Sequence, residues 1–181
     1  MENIPANNEE MDLLEKARGR DPGALAELYT RYYPKVLKFI HYRIGAQEAE
    51  DLTGEVFLKL MRSIDRQVGR FEPWLFRMAR NTIIDRVRYR KVRPEDSLEQ
   101  TEQEFSDGGN APSSGARLDV EQALSLVGEE YRELLVLRFI QGMSAAEIGE
   151  ITGQSPGAVR GMLFRALSKI RTVLDPQEVR S

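Results

Sequence analysis

Cysteine is absent from the 181 residues. That excludes disulfides and thiolate metal sites and agrees with a reducing compartment, the cytoplasm. Histidine occurs once, at His41, so imidazole-based metal binding or acid–base chemistry has almost nothing to work with. No apolar run reaches the ~18 residues of a membrane span. The opening stretch, MENIPANNEEMD, is polar and acidic, so no secretory leader is expected. Sustained two-residue alternation is missing as well, which leaves strands without a signal. There is no phosphate-binding loop, nucleophile–base pair or metal-ligand cluster, so neither an enzyme nor a cofactor is expected.

What is present is helical periodicity and charge sorted along the chain. The net charge is −3, which argues at first against a polyanionic partner. Between Arg70 and Arg93, however, eight basic residues face two acids. Between Pro94 and Ala116 there are six acids and no base, and between Ser155 and Thr172 four bases and no acid. Charges are felt over a Debye length of about 8–10 Å, so these local signs outweigh the total.

Asp21-Pro22 is an N-cap followed by proline at the first helical position, and Leu25, Leu28, Tyr29 and Tyr32 recur on one face after it. A second helix is expected from Pro34 to Ile44, stopped by Gly45. A third is expected from Gln47, with Leu52, Val56, Leu60 and Ile64 inside. A fourth opens at Pro73, with Trp74, Leu75, Met78, Ala79, Ile83 and Val87 on its buried side, and ends before Pro94. The stretch to Ala116 is acidic, aperiodic and contains SDGGNAPSSG, the composition of a flexible linker. Apolar periodicity returns from Leu118. The predicted fold is all-α: a four-helix N-terminal domain over 11–94, a linker over 95–117 and a small helical domain over 118–175.

The segment SAAEIGEITGQSPGAVRGMLFRALSKIR carries a full set of helix-turn-helix signals. Ser144 and Glu147 form a capping box, Gly153 supplies a left-handed C-cap, and Ser155 caps a second helix that Pro156 begins. Gly149 is small where the two helices would meet. Val159, Leu163, Ala166, Leu167 and Ile170 are assigned to the buried stripe. Arg160, Arg165 and Lys169 are assigned to the outside, with Gln154, Ser155 and Gly157 at the tip. Such a unit places its second helix in the major groove. A helical hairpin with a polar outer face is the plain alternative.

Upstream, RFEPWLFRMARNTIIDRVRYRKVR mixes rings with regularly spaced arginines, a pairing suited to unpaired strands, whose bases stack on aromatics. Phe71, placed in the preceding loop, is the ring freest to act. Trp74 is either a stacking ring or core. Arg77, Arg80, Arg88, Arg90 and Lys91 fit phosphate contacts, and Asn81 shares a face with Arg77 and Arg88. In AEDLTGEVFLKLMRSI, Asp51, Glu55 and Lys59 make a charged ridge that Glu48 extends. The ridge reads either as a solvated face with an i,i+4 ion pair or as a face for a partner.

DLTGEVFLKLMRSI, PWLFRMARNTIIDRVRYRKVR and LRFIQGMSAAEIGEITGQSPGAVRGMLFRALSKIR, in this order and spacing, resemble the bacterial RNA polymerase sigma factors of the extracytoplasmic-function group. The resemblance covers about residues 11–174. It implies a promoter-directing initiation factor that binds core polymerase and helps open the duplex, the chemistry belonging to the polymerase. By the resemblance, Asp51, Glu55, Val56, Phe57 and Lys59 dock on the β′ clamp. The loop from Ser63 to Phe71 and the helix after it melt and read the −10 element through duplex and non-template strand. The helix from Ser155 reads the −35 element, with the β flap and an anti-sigma protein as further partners. No fused regulator is expected after Leu174. This chain has Gly54 where the family often has glutamine, Gly149 where it usually has alanine, and Gly161 near a position usually basic or polar.

Overall fold

The computed structural model describes residues 8–92 and 120–174, so the predicted linker over 95–117 lies outside the described residues. Those residues form eight α-helices, one 3₁₀ turn and one π turn, without a strand among them. Two compact units divide the chain, the boundary falling at Ile84–Asp85, inside the fourth helix.

The first unit holds α1 (Asn8–Arg18), α2 (Pro22–Ile44), α3 (Ala46–Ser63), a 3₁₀ turn (Ile64–Arg66) and the start of α4 (Phe71–Val92). Periodicity did not reveal α1. Its first turn carries Glu9 and Glu10 and its last Lys16 and Arg18, each sign opposing the helix dipole. Leu13, Leu14 and Ala17 are its buried residues. The hydroxyl of Tyr32 donates to Glu10 at 2.9 Å and ties α1 to α2. Burial, and then that acceptor, push the Tyr32 phenol well above its ordinary range.

Helix α2 is one 23-residue helix where two were expected. Asp21 caps it as predicted, accepting from the Ala24 amide at 2.8 Å. Pro34 lies inside it and is exposed. Proline lacks one amide and crowds the preceding turn, but on a wet face the unbonded carbonyl has water. The apolar stripe of Leu28, Tyr32, Val36, Phe39 and Ile40 runs through the proline without a break, and that shared stripe holds the helix together. Gly45, at φ 92°, ends it, and its amide donates to the His41 carbonyl at 2.8 Å.

The core of this unit joins that stripe to Leu52, Val56, Leu60, Ile64, Leu75, Phe76, Ala79 and Ile83. Phe39 and Phe76 meet edge to face with centroids 5.4 Å apart, a favoured ring geometry. Helix α4 starts at Phe71, two residues before the predicted Pro73. Trp74 is only half-buried, and Val87, assigned to the inside, is exposed.

The second unit holds the end of α4, α5 (Val120–Ser125), α6 (Glu129–Leu135), a π turn (Val136–Ile140), α7 (Ala145–Thr152) and α8 (Pro156–Leu174). Leu134, Val136, Leu137, Ile148 and Val159 are fully enclosed. Arg132 is buried but satisfied: its Nε donates to the Leu124 carbonyl at 3.2 Å, fastening α6 to α5. From within the π turn, Arg138 Nη1 donates to the Met143 carbonyl at 2.8 Å and sets the entry to α7.

Candidate nucleic-acid and polymerase interfaces

The helix-turn-helix forms as its signals require. The Ser144 amide donates to Glu147 Oε2 at 2.8 Å, and the Glu147 amide donates to Ser144 Oγ at 3.3 Å. These two bonds complete the capping box. Gly153 takes φ 75°, ψ 20° and its amide donates to the Gly149 carbonyl at 2.8 Å. Ser155 Oγ accepts from the Ala158 amide at 3.2 Å. A Cβ on Gly149 would stand 2.5 Å from the Gln154 carbonyl oxygen. The tight approach is therefore between α7 and the turn, not between the two helices.

Helix α8 buries Val159, Leu163 and Ala166. Leu167, placed in that stripe by periodicity, is exposed. The three cations do not share a side. At 3.6 residues per turn, Arg165 and Lys169 lie about 140° and 180° round the helix from Arg160. Arg160 is exposed at the tip, its Nη2 4.0 Å from where a Gly157 Cβ would be. Next to it, one turn on, stands Phe164, 72% exposed. Phe164 was not recognised in the sequence, although it lies off the buried stripe, which is the signal that singles it out. Gln154 is half-buried, and its side-chain oxygen is enclosed without a hydrogen-bond donor among the described residues, so that atom does not face a groove.

On α4 the buried arc of Leu75, Phe76, Ala79, Thr82 and Ile83 leaves the opposite side to Arg77, Asn81, Arg88 and Lys91, all exposed and within about 80° of one another. Arg80 is half-buried at the margin, and Arg90 is half-buried in line with the buried arc, beyond its last residue. Phe71 is corrected: it is helical, 3% exposed, and packs its ring against Tyr32 at 5.0 Å and Trp74 at 5.9 Å. No stacking surface is left on it. Trp74 keeps part of its ring outside.

On α3, Val56 and Phe57 are also corrected. Both are buried, and Phe57 meets the edge of Tyr29 at 4.9 Å, so these two hold α3 to α2. Glu48 is buried and does not extend the ridge. Lys59 is engaged within the unit, its Nζ 2.8 Å from Glu55 and 3.0 Å from Thr82 Oγ1 on α4. The outer face consists of Asp51, Glu55, Leu58 and Arg62, within about 60° of one another. Leu58 is 57% exposed, and Met61 beside this face 49%. These two apolar residues outside the buried stripe were missed because apolar character was equated with core.

Comparison with known proteins decides what this geometry belongs to. The family model described as Sigma-70 region 2 matches residues 28–93, and Sigma-70, region 4 matches 117–170. The sigma factor BldN of Streptomyces coelicolor is 32% identical over 94% of this chain and 67% of its own length. CarQ of Myxococcus xanthus is 34% identical over 92% of this chain and 98% of its own.

The chain belongs to the extracytoplasmic-function sigma factors of RNA polymerase.

Two solved structures share its fold. CnrH in complex with the cytosolic domain of CnrY covers 91% of this chain and 96% of its own at 24% identity, with a TM-score of 0.68. RpoE in complex with the anti-sigma factor NepR from Bartonella quintana covers 84% and 97% at 21% identity and 0.66. Among the described residues of this sigma factor, no helix is long and apolar enough to cross a membrane, and no group of three or more His, Asp or Glu could hold a metal. It is a transcription initiation factor, and the faces of α3, α4 and α8 are where its partners are to be sought.

Proposed function

We propose that this sigma factor docks on core polymerase with the outer face of α3, reads the −10 element with the loop before α4 and the basic stripe of α4, and reads the −35 element with α8. The observation that supports this division is that each match to a sigma-70 region ends on a helix that exposes basic residues, α4 with Arg77, Arg88 and Lys91 in the first and α8 with Arg160, Arg165 and Lys169 in the second. In this reading residues 11–94 form the −10 module, 95–117 connect, and 118–175 form the −35 module.

On α3, Asp51 and Glu55 supply charge and Leu58 and Met61 supply apolar area, a combination suited to a protein partner. On α4, Arg77, Arg88 and Lys91 hold phosphates, Asn81 reaches a base and Trp74 offers a ring edge to an unpaired base. On α8, Arg160 bonds a base or phosphate, while Phe164 offers apolar contact to a thymine methyl. Gly157 and Ser155 let the backbone of the tip approach, and Arg165 and Lys169 meet phosphates at one side.

No hydrolysis is required of the chain. Affinity for the exposed non-template strand offsets the few kcal/mol of unpairing per flipped base. The protein acts in the cytoplasm, without a cofactor. The β flap is a second polymerase contact, and an anti-sigma protein is the regulator that fits, since one solved protein of this fold, the sigma factor RpoE, is held in complex with an anti-sigma factor.

In vitro transcription with core polymerase, followed by mapping of start sites, tests the function. Discrete new start sites sharing −10 and −35 elements are expected. Their absence, with the protein folded, overturns the reading.

A further inference from the structure

The loop between α3 and α4 is gripped by a side chain from the last residue of α1, which precedes the first family match at residue 28. Arg66, Val68, Gly69 and Arg70 of the loop are exposed, and Val68 is 81% so. Gln67, in their midst, is 3% exposed. A buried glutamine needs partners for both ends of its amide, and here each end has one. Its Oε1 accepts from Arg18 Nη2, and its Nε2 donates to the Gly69 carbonyl at 2.8 Å. The Gln67 amide also donates to the Ile64 carbonyl at 3.2 Å. Gly69 sits at φ 78°, where the chain turns back toward α4.

A second strap lies beside the first. Arg20, itself at φ 63°, donates from Nη1 to the Met61 carbonyl at 3.4 Å and stands 3.6 Å from Asp65. Arg18, the last residue of α1, and Arg20 just after it thus hold the end of α3, the 3₁₀ turn and the loop that follows. One bond is charge-assisted onto a buried side chain, the stronger kind. A loop that must order on binding loses affinity to conformational entropy, and a loop already ordered does not.

We propose that Arg18 and Gln67 form a positioning clamp that pre-organises residues 67–70 to receive an unpaired non-template base. This rests on the reading that the loop meets the −10 element. Through the clamp, α1 acts on promoter opening without touching DNA. Fixing the Gly69 carbonyl turns the Val68 tip outward, and Arg18 holds the glutamine that fixes it.

Full-length Arg18→Ala and Gln67→Ala, assembled with core polymerase, test this. Permanganate reactivity of −10 thymines should appear about tenfold more slowly, the factor that one charge-assisted hydrogen bond commands. Discrimination between −10 sequence variants should fall with it, while affinity for polymerase and for a −35 duplex stays unchanged. The double variant should be no slower than either single one, and Arg18→Lys should recover part of the rate. A purely structural role would lower the melting temperature without moving base discrimination. If Arg18→Ala does not fold, Gln67→Glu replaces it: the acceptor for Arg18 is kept, the donor to Gly69 is lost, and the same slowing is expected. Opening and discrimination within twofold of the parent in the folded variants overturn the clamp. Val68→Asp separates the two levels. If it changes base preference while Arg18→Ala does not, the clamp alone fails. If it changes nothing, the −10 role of the loop fails as well.

Discussion

Leu58 and Phe57 are neighbours in the chain with opposite fates, and the contrast shows where residue-level reading runs short. Phe57 belongs to a buried arc that also contains Leu52, Thr53, Val56 and Leu60, wider than the single stripe that four-residue spacing identifies. A helix packed on more than one neighbour buries such an arc. Apolar residues outside it, Leu58 and Met61, are then the informative ones. Replacing Leu58 by Glu should cost little stability, because the side chain is already in water, yet it should weaken polymerase binding in a pull-down or anisotropy titration. Phe57→Ala should cost about 3 kcal/mol or more in urea unfolding, and polymerase binding should fall only as folded protein is lost. The same logic applies to α8. Arg160→Ala should weaken −35 duplex binding by about 1–3 kcal/mol and leave polymerase association intact. Arg165→Ala, on another side of the helix, should weaken binding to all sequences alike. Phe71 was misjudged for a related reason: an error of two residues at a helix start moved it from helix to loop and from core to surface.

At the scale of elements, local chemistry was most legible where caps and turns name themselves. Asp21-Pro22, the Ser144–Glu147 box, Gly153 and Ser155-Pro156 all act as their residue types require. Helix α1 escaped because a short amphipathic helix with three buried residues has little periodicity to show. Helix α2 was cut in two because proline is a strong local signal and the continuous apolar stripe across it is a tertiary one. Two glycines test the element scale in opposite directions. Gly54 is inside α3 with nothing within 4 Å of a prospective Cβ, so Gly54→Ala should raise stability by about 0.5–1 kcal/mol through helix propensity. A thermal melt would show this as a gain of a few degrees. Gly149 has helical backbone too, but its added Cβ would meet the Gln154 carbonyl oxygen at 2.5 Å. The turn there is fixed by Gly153 and Gln154 amides, both donating to the Gly149 carbonyl at 2.8 and 3.2 Å. Gly149→Ala should therefore lower stability by about 1–3 kcal/mol and weaken −35 binding by reorienting α8.

For the molecule as a whole, the order of charge along the chain was legible from residues alone, and the sign of its sum was misleading. A net charge of −3 coexists with an exposed basic stripe on α4 and an α8 that has no acid. Many of the other charges are spent internally, as in Arg31–Glu27 at 2.7 Å and Lys35–Glu72 at 2.9 Å. What could not be read was which cations remain available, because that depends on helix faces and on partners distant in sequence. Lys59, counted as a docking residue, spans to Thr82 on another helix. Salt dependence measures availability directly. Each Lys or Arg seated on a phosphate releases a counterion and contributes about one unit to the slope of log K against log salt. Promoter binding by the assembled polymerase should therefore lose about one unit of slope with Arg88→Ala, and about one more with Lys91→Ala added. Arg31→Ala removes the same formal charge from an ion pair on α2 and should leave the slope as it was. Polymerase contacts add a constant to every measurement, so the differences between variants isolate the contribution of this chain. Equal losses for Arg31 and Arg88 would mean that net charge, not the placement of individual cations, governs binding.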